Sequence, residues 1–419
     1  GLTSIGSSAF TGYNATELSL PNSLTKLGVY AFSGTDLTEF VVPEGVTTVE
    51  MGCIAGKNCT MYVHSKVTNF TCQQFMIKEM VVDPGNTKYR NYKGIVVNTN
   101  NQAVNVPAYL DVEEFNMEGI TYFLGGYVNN HYEYCCEYLM NVKKLILSKD
   151  LSDRYLYGQF KGMPLLEEID LAGNTNFVLK DGHLFSADGT VLIKLVKAEA
   201  YTVPEGVTTI FPQHYGNVND LVIPDNNASL HERFQYYQGA KITIKGKHSL
   251  GTAFYFSTGL KTVDLSEASS AEYRRFFKDS SVEEVLISST FKFEDSKFFQ
   301  GTKLKALTIP EGCIMNYEYS YFNGLKTLEY IDIPSTFEGM PYFGGCINLK
   351  TIICRQTIAP TLSSLHFGNS TEEYTGINTK DTGENTLYVP SGSTGYDQGR
   401  YASVLLNPDL CGFTLSATL

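Results

Sequence analysis

Residues 298–334 read FFQGTKLKALTIPEGCIMNYEYSYFNGLKTLEYIDIP, and they contain one complete copy of a unit that recurs along the chain. Phe299 and Gly301 open a copy, Leu307 and Ile309 alternate along a short strand, and Pro310 ends it. Phe322 and Gly324 open the next copy, whose strand carries Ile331, Ile333 and Pro334. From Ile223 onward the second inward strand position recurs at 244, 265, 287, 309, 333 and 354, in steps of 21, 21, 22, 22, 24 and 21 residues. A fixed period of this length marks one supersecondary unit per repeat. Each unit has one apolar strand face that it cannot bury alone, so the copies must stack.

Working outward, inward strand pairs are expected at Leu18–Leu20, Phe40–Val42, Met80–Val82, Leu145–Leu147, Ile169–Leu171 and Tyr201–Val203, and then in every copy to Ile352–Cys354. Alternation of this kind is what a strand with one buried face requires. Proline follows several strands (Pro21, Pro43, Pro204, Pro224, Pro310, Pro334). Lacking an N–H, it stops the ladder and turns the chain, and the glycines of the polar turns that follow permit positive φ. An aromatic column keeps step at Phe10, Phe32, Phe75, Tyr138, Phe160, Tyr215, Tyr237, Phe256, Phe277, Phe299, Phe322, Phe343 and Phe367. A glycine two residues after many of these rings predicts a single helical turn closed by a glycine cap. Two inserts, 83–107 and 173–204, each predict a β-hairpin about a polar turn, NTNN and SADG. The stretch 108–144 is irregular and rich in tyrosine, with a poorly kept strand near 113–124.

Composition bounds the function. The chain has 419 residues, 43% apolar and only 18% charged, with net charge −12. Phosphate binding needs a basic stripe, so nucleic acid is not an expected partner. No apolar run reaches the roughly 18 residues a membrane-spanning helix needs. No signal peptide is read at the start. The opening GLTSIGSSAF is the second half of a repeat, as expected of a segment cut from a longer chain. Nine scattered cysteines do not form the framework of a disulfide-stapled domain. They are expected to be mostly reduced and buried, with one or two bridges still open if the protein is exported.

No nucleophile elbow, zincin helix or dinucleotide fingerprint occurs. Residues 239–249, GAKITIKGKHS, have the wrong glycine spacing for a phosphate loop. Cys53, Cys59, His64 and Cys72 have a spacing that matches no standard zinc site, and Cys53 and Cys72 fall at core positions of the repeat. No enzyme, metal or other cofactor is expected.

The segments TELSLPNSLTKLGVYAFSG (16–34) and LKALTIP (304–310) resemble the BspA-like leucine-rich repeat of bacterial surface proteins. Both inserts and LYVPSG (387–392) with the tyrosine-containing segment after it also resemble that family. The end segment lacks the family's usual Trp. The resemblance implies an α/β repeat solenoid: a right-handed leucine-rich-repeat superhelix, β-rich, with a parallel concave sheet, short helical turns and two hairpin inserts. On this reading residues 1–386 form the solenoid and 387–419 a C-terminal capping segment, with 396–406 as a closing helix. It further implies an extracellular or cell-surface protein that binds a protein partner such as host matrix or another surface protein; a monomer is expected.

The residue between two inward ones then faces the concave surface, where Asp170, Asp264, Thr308 and Asp332 fall, and Glu168, Glu284 and Tyr330 sit just before their strands. Acids dominate both rows, which favours a basic partner. The plainer reading, a solvated face that deters aggregation, is the favoured one for the acids alone, and the Val, Ile and Leu between them raise the binding reading. Tyr317 and Tyr319, in NYEYSYF, are further binding candidates, because that run holds more rings than one core slot absorbs. Exposed tyrosines leave a second reading open, a carbohydrate-binding surface protein.

Overall fold

The structure is a computed structural model that describes residues 1–419 apart from 15, 51, 71–73, 129–130, 153–155, 157, 273–276, 294–297, 314–321, 338, 363–384 and 407–412. It divides into two compact units, 1–197 with 211–216 and 198–210 with 217–419.

Both units are parallel β-solenoids. In the first, Glu39–Val41 pairs in parallel with the end of Ile54–Val63, which pairs with Ile77–Val82. The register aligns Phe40, Met61 and Met80, all buried. Further on, Glu114–Asn116, Lys144–Ile146 and Glu168–Asp170 form a second parallel set, with Phe115, Leu145 and Ile169 in one inward row. In the second unit the five strands Ala198–Thr202, Val218–Ile223, Lys241–Ile244, Thr262–Leu265 and Glu284–Ile287 are parallel. Ala306–Thr308, Tyr330–Ile333, Thr351–Cys354, Thr386–Tyr388 and Thr414–Ser416 form another such set. The inward pairs expected at Leu221–Ile223, Ile242–Ile244, Val263–Leu265, Leu307–Ile309, Ile331–Ile333 and Ile352–Cys354 are buried throughout. Leu18–Leu20 forms no strand, and both leucines are half-buried.

The prolines start tight turns. The carbonyls of Pro21, Pro43, Pro204, Pro310 and Pro334 each accept a hydrogen bond from the N–H three residues on. In the polar turn after Pro43, Gly45 does not have the expected positive φ. It is needed for close approach, since a Cβ there would lie 2.3 Å from the Leu24 carbonyl oxygen.

The expected α/β character is corrected. Among the described residues the helical turn Tyr401–Leu405, inside the segment expected to close the chain, is the one named helical element. The aromatic turns are not helical. Phe32–Ser33 is a two-residue strand paired with Ile54–Ala55. Ser8, Phe10 and Gly12 donate their N–H groups to Val29, Ala31 and Ser33 of the next turn, and Phe32 and Gly34 donate to Cys53 and Ala55. The N–H groups between these, of Ala9, Thr11, Ala31 and Ser33, go to the carbonyl three residues back, so no unbroken run of local bonds is left to make a helix. Left-handed residues set this alternation, at Ser8, Tyr30 and Phe160 as well as at Gly12 and Gly34.

The rings stack as columns, Phe299–Phe322 at 5.5 Å and Phe322–Phe343 at 5.8 Å between centroids. In the second unit the buried column runs through Phe234, Phe254 and Phe277, at 6.2 and 6.1 Å. Phe256, expected in this column, is half-buried with φ 57 and stacks on Tyr236 instead. Phe367 lies outside the described residues.

Both inserts are antiparallel, and each holds one strand more than a hairpin. Tyr89–Tyr92, Ile95–Asn98 and Gln102–Asn105 form the first, and Phe177–Lys180, His183–Ser186 and Val191–Lys194 the second. The additional strands are joined by two-residue turns at Lys93–Gly94 and Asp181–Gly182, with positive φ at all four residues. The tyrosine-rich stretch also pairs with itself, Gly125–Val128 against His131–Tyr134.

The column assignment has a direct test by denaturant unfolding. Phe254→Ala is expected to cost about 3–5 kcal/mol by leaving a cavity in the ring column. Phe256→Ala, two residues away, is expected to cost about 1 kcal/mol.

Candidate functional site

Outward rows of the sheets hold most of the candidate binding residues, and the register fixes their neighbours. Adjacent strands lie about 4.8 Å apart, so one position of the repeat becomes a row of side chains across the sheet. In the second unit Thr243, Asp264 and Leu286 form such a row, preceded along the strands by Lys241, Thr262 and Glu284. Thr308 and Asp332 form another, preceded by Ala306 and Tyr330.

The acids of these rows are largely engaged. Asp332 is 4% exposed and accepts two hydrogen bonds from the Arg355 guanidinium, at 2.8 and 2.7 Å. The Arg355 pKa is raised, mainly by its hydrogen bond to Asp332. Asp264 is 9% exposed. Burial works against its charge, but donation from the Ser266 hydroxyl (2.6 Å) and N–H (3.0 Å) and from Lys241 (3.4 Å) holds its carboxyl below the usual range. Neither acid is the open face position that strand alternation predicts, because Lys241 and Arg355 close over them.

Glu168 pairs with Lys144 at 2.7 Å, and Glu284 accepts the Thr262 hydroxyl at 3.0 Å. Asp170 is exposed and accepts the Ala172 N–H at 2.8 Å. Thr308 is exposed. Tyr330 is half-buried, its hydroxyl pKa raised by burial and then by Asp332. Tyr317 and Tyr319 lie outside the described residues.

A column that sequence reading missed lies two residues before the first inward strand position. In the second unit it reads Lys261, Glu283, Lys305, Glu329, Lys350, and in the first Glu113, Lys143, Glu167. Lys261–Glu283 and Lys143–Glu113 close at 2.7 Å, and Lys350–Glu329 at 3.3 Å. Alternating signs at the repeat spacing were the available signal. Like charges stacked one strand apart repel, and opposite charges attract.

Other titratable groups are structural. Cys53, Cys59, Cys136, Cys313, Cys346 and Cys354 are free and buried. Burial pushes the Cys53, Cys59 and Cys346 thiols up to about 12, leaving almost no thiolate for redox or metal chemistry. Cys72 and Cys411 lie outside the described residues. His183 is buried and its pKa falls to about 4 by desolvation, while its Nδ1 accepts the Val196 N–H. Lys194 is 1% exposed, donates to the Lys161 carbonyl at 2.9 Å, and is pushed down to about 7 by burial. A cleft is lined by Asn116, Glu118, Ser148 and Asp150, and Lys93 donates to two of these, Asn116 and Glu118.

A family model described as BspA type Leucine rich repeat region matches six copies over residues 1–92 and 232–350, just over half of the chain. No curated protein matches. Among solved structures the chain is similar to a leucine-rich repeat protein from Eubacterium ventriosum, at 16% identity and TM-score 0.33, covering 82% of this chain and 77% of that one. It is similar to the pneumococcal vaccine antigen PcpA at 17% identity and TM-score 0.29, covering 93% and 80%. A leucine rich cell surface protein from Faecalibacterium prausnitzii gives 15%, 0.29, and coverage of 87% and 84%.

Two substitutions test the electrostatics. Lys305→Glu puts three acids in succession in the alternating column, so the melting temperature should fall at low salt and recover at high salt. Lys194→Met should stabilise the protein most below pH 7. The unfolded lysine keeps its proton to about 10.5 while the folded one loses it near 7. The native wild type therefore gains about 1.4 kcal/mol per pH unit across that window, and the advantage of Met should close as pH rises. Thermal melts at pH 6, 8 and 10, on the order of two units apart, measure this.

Proposed function

From the premise that this chain belongs to the BspA-type leucine-rich repeat family, we propose that it is a non-catalytic solenoid that binds a protein partner outside the cell or on its surface. Adhesion is the role this reading favours. One observation carries it. The inward strand positions are uniformly apolar, while the outward ones change from copy to copy between acid, hydroxyl and exposed aliphatic residues, as in Asp170, Thr308 and Leu286. The fold uses the first set and leaves the second free for recognition. Mixed apolar and polar surface of this kind is the ordinary make-up of a protein interface.

On this reading Glu168, Asp170, Glu284, Thr308 and Tyr330 meet the partner. Asp264 and Asp332 hold Lys241 and Arg355 in position beside them, and Tyr317 and Tyr319 remain contact candidates. Residues 387–419 serve as the end cap, supported by the two strands they contribute to the last sheet set.

The test is a binding screen of the whole chain against purified matrix proteins and a glycan array, at about 50 and 200 mM salt. The expected result is a protein ligand whose affinity falls as salt rises. Binding confined to glycans would replace this reading with the carbohydrate one.

A further inference from the structure

Taking the protein-binding reading as given, we infer that the first unit carries a docking row for a partner with basic side chains beside an apolar strip. The row is Val41, Tyr62 and Val81, which the register places side by side across three parallel strands. Val41 is 64% exposed and Tyr62 37%, while Phe40, Met61 and Met80 beside them along the strands are buried. Two residues back along each strand lies a second row, Glu39, Thr60 and Glu79, with both glutamates exposed. The two rows run parallel, about 7 Å apart.

Two contrasts within the molecule mark this place. On other sheet sets Glu168 is held by Lys144, Asp264 by Lys241 and Asp332 by Arg355, while Asp170 stays exposed. Glu39 and Glu79 have no ion pair among the described residues, and Lys78, next to Glu79, is engaged by Asp111 at 3.1 Å. Secondly, at the equivalent middle position Thr243, Asp264 and Asp332 are under 10% exposed, and Val41, at 64%, is more open than Leu286 at 38%. Strand preference alone favours valine at such positions. It favours the tyrosine as well, but it gives no reason for unpaired acids alongside. An apolar row next to unneutralised carboxylates selects a partner of opposite charge with an apolar strip of its own, and rejects an acidic one.

The test uses the full chain and three fluorescein-labelled synthetic peptides: amphipathic Lys/Leu, Lys/Ser and Glu/Leu, read by anisotropy. Two variants attack the rows, Val41→Thr with Tyr62→Ser and Glu39→Lys with Glu79→Lys. A third, Glu205→Lys with Asp397→Lys, makes the same charge change at exposed sites elsewhere. Circular dichroism and melting confirm that each is folded.

The Lys/Leu peptide should bind the wild type, with each row variant weakening it about 10-fold or more and the control by less than about 2-fold. The proposal is overturned if the control weakens binding as much as the glutamate variant, if Lys/Ser binds as well as Lys/Leu, or if no variant matters. A protein ligand from the screen above that binds both row variants unchanged removes this site and leaves the general reading standing. A screen in which glycans alone bind defeats the general reading whatever the peptides do.

Discussion

Everything in this molecule depends on hydrogen bonds passed from one turn to the next. A turn of 21 to 24 residues has one apolar strand face and many backbone groups it cannot satisfy within itself. The next turn supplies both needs. Thr25 donates to Thr3, Thr60 to Thr38, Lys143 to Glu113, Thr262 to Ala240 and Thr386 to Lys350, each a bond from one turn to its neighbour. Buried backbone groups must be paired, so this ladder holds the turns in register as firmly as the apolar core does.

Register of that kind turns each position of the repeat into a column. The rings of Phe299, Phe322 and Phe343 stack because the ladder brings the same position of successive turns side by side. The same constraint would stack like charges, and the sequence answers with alternation at Lys261, Glu283, Lys305, Glu329 and Lys350. A chain of net charge −12 therefore does not present a uniformly negative sheet. Several of its acids are tied to lysine or arginine of a neighbouring turn, as Glu283 is to Lys261 and Asp332 to Arg355. The chain belongs to a family of leucine-rich repeats, and in such an array the side chains free to vary between copies are those outside the apolar core.

Much of this was legible in advance. The strand at Leu307–Ile309, its equivalents, the turn-forming prolines and the antiparallel inserts follow from alternation and spacing alone. The short helical turns did not survive, because VYAF and SSAF tolerate a helix locally while alternate N–H groups, those of Ser8, Phe10 and Phe32, are claimed by the next turn. Left-handed Tyr30 and Phe160 gave no warning, since neither residue type signals positive φ as glycine does. The missed strands Tyr89–Tyr92 and Phe177–Lys180 did leave a signal, in the turn residues Lys93–Gly94 and Asp181–Gly182.

The sequence by itself determined the architecture. A period of about 22 residues with alternating apolar positions has one way to bury its surface, by stacking parallel strands. The tertiary structure decided which outward residues are available. Asp332 and Glu39 are both acids on outward strand positions, yet Arg355 from the following turn closes over one and the other stands in water. That difference depends on a side chain reaching across from another copy. A repeat pattern records what each copy holds, and only the packed columns show what each copy covers.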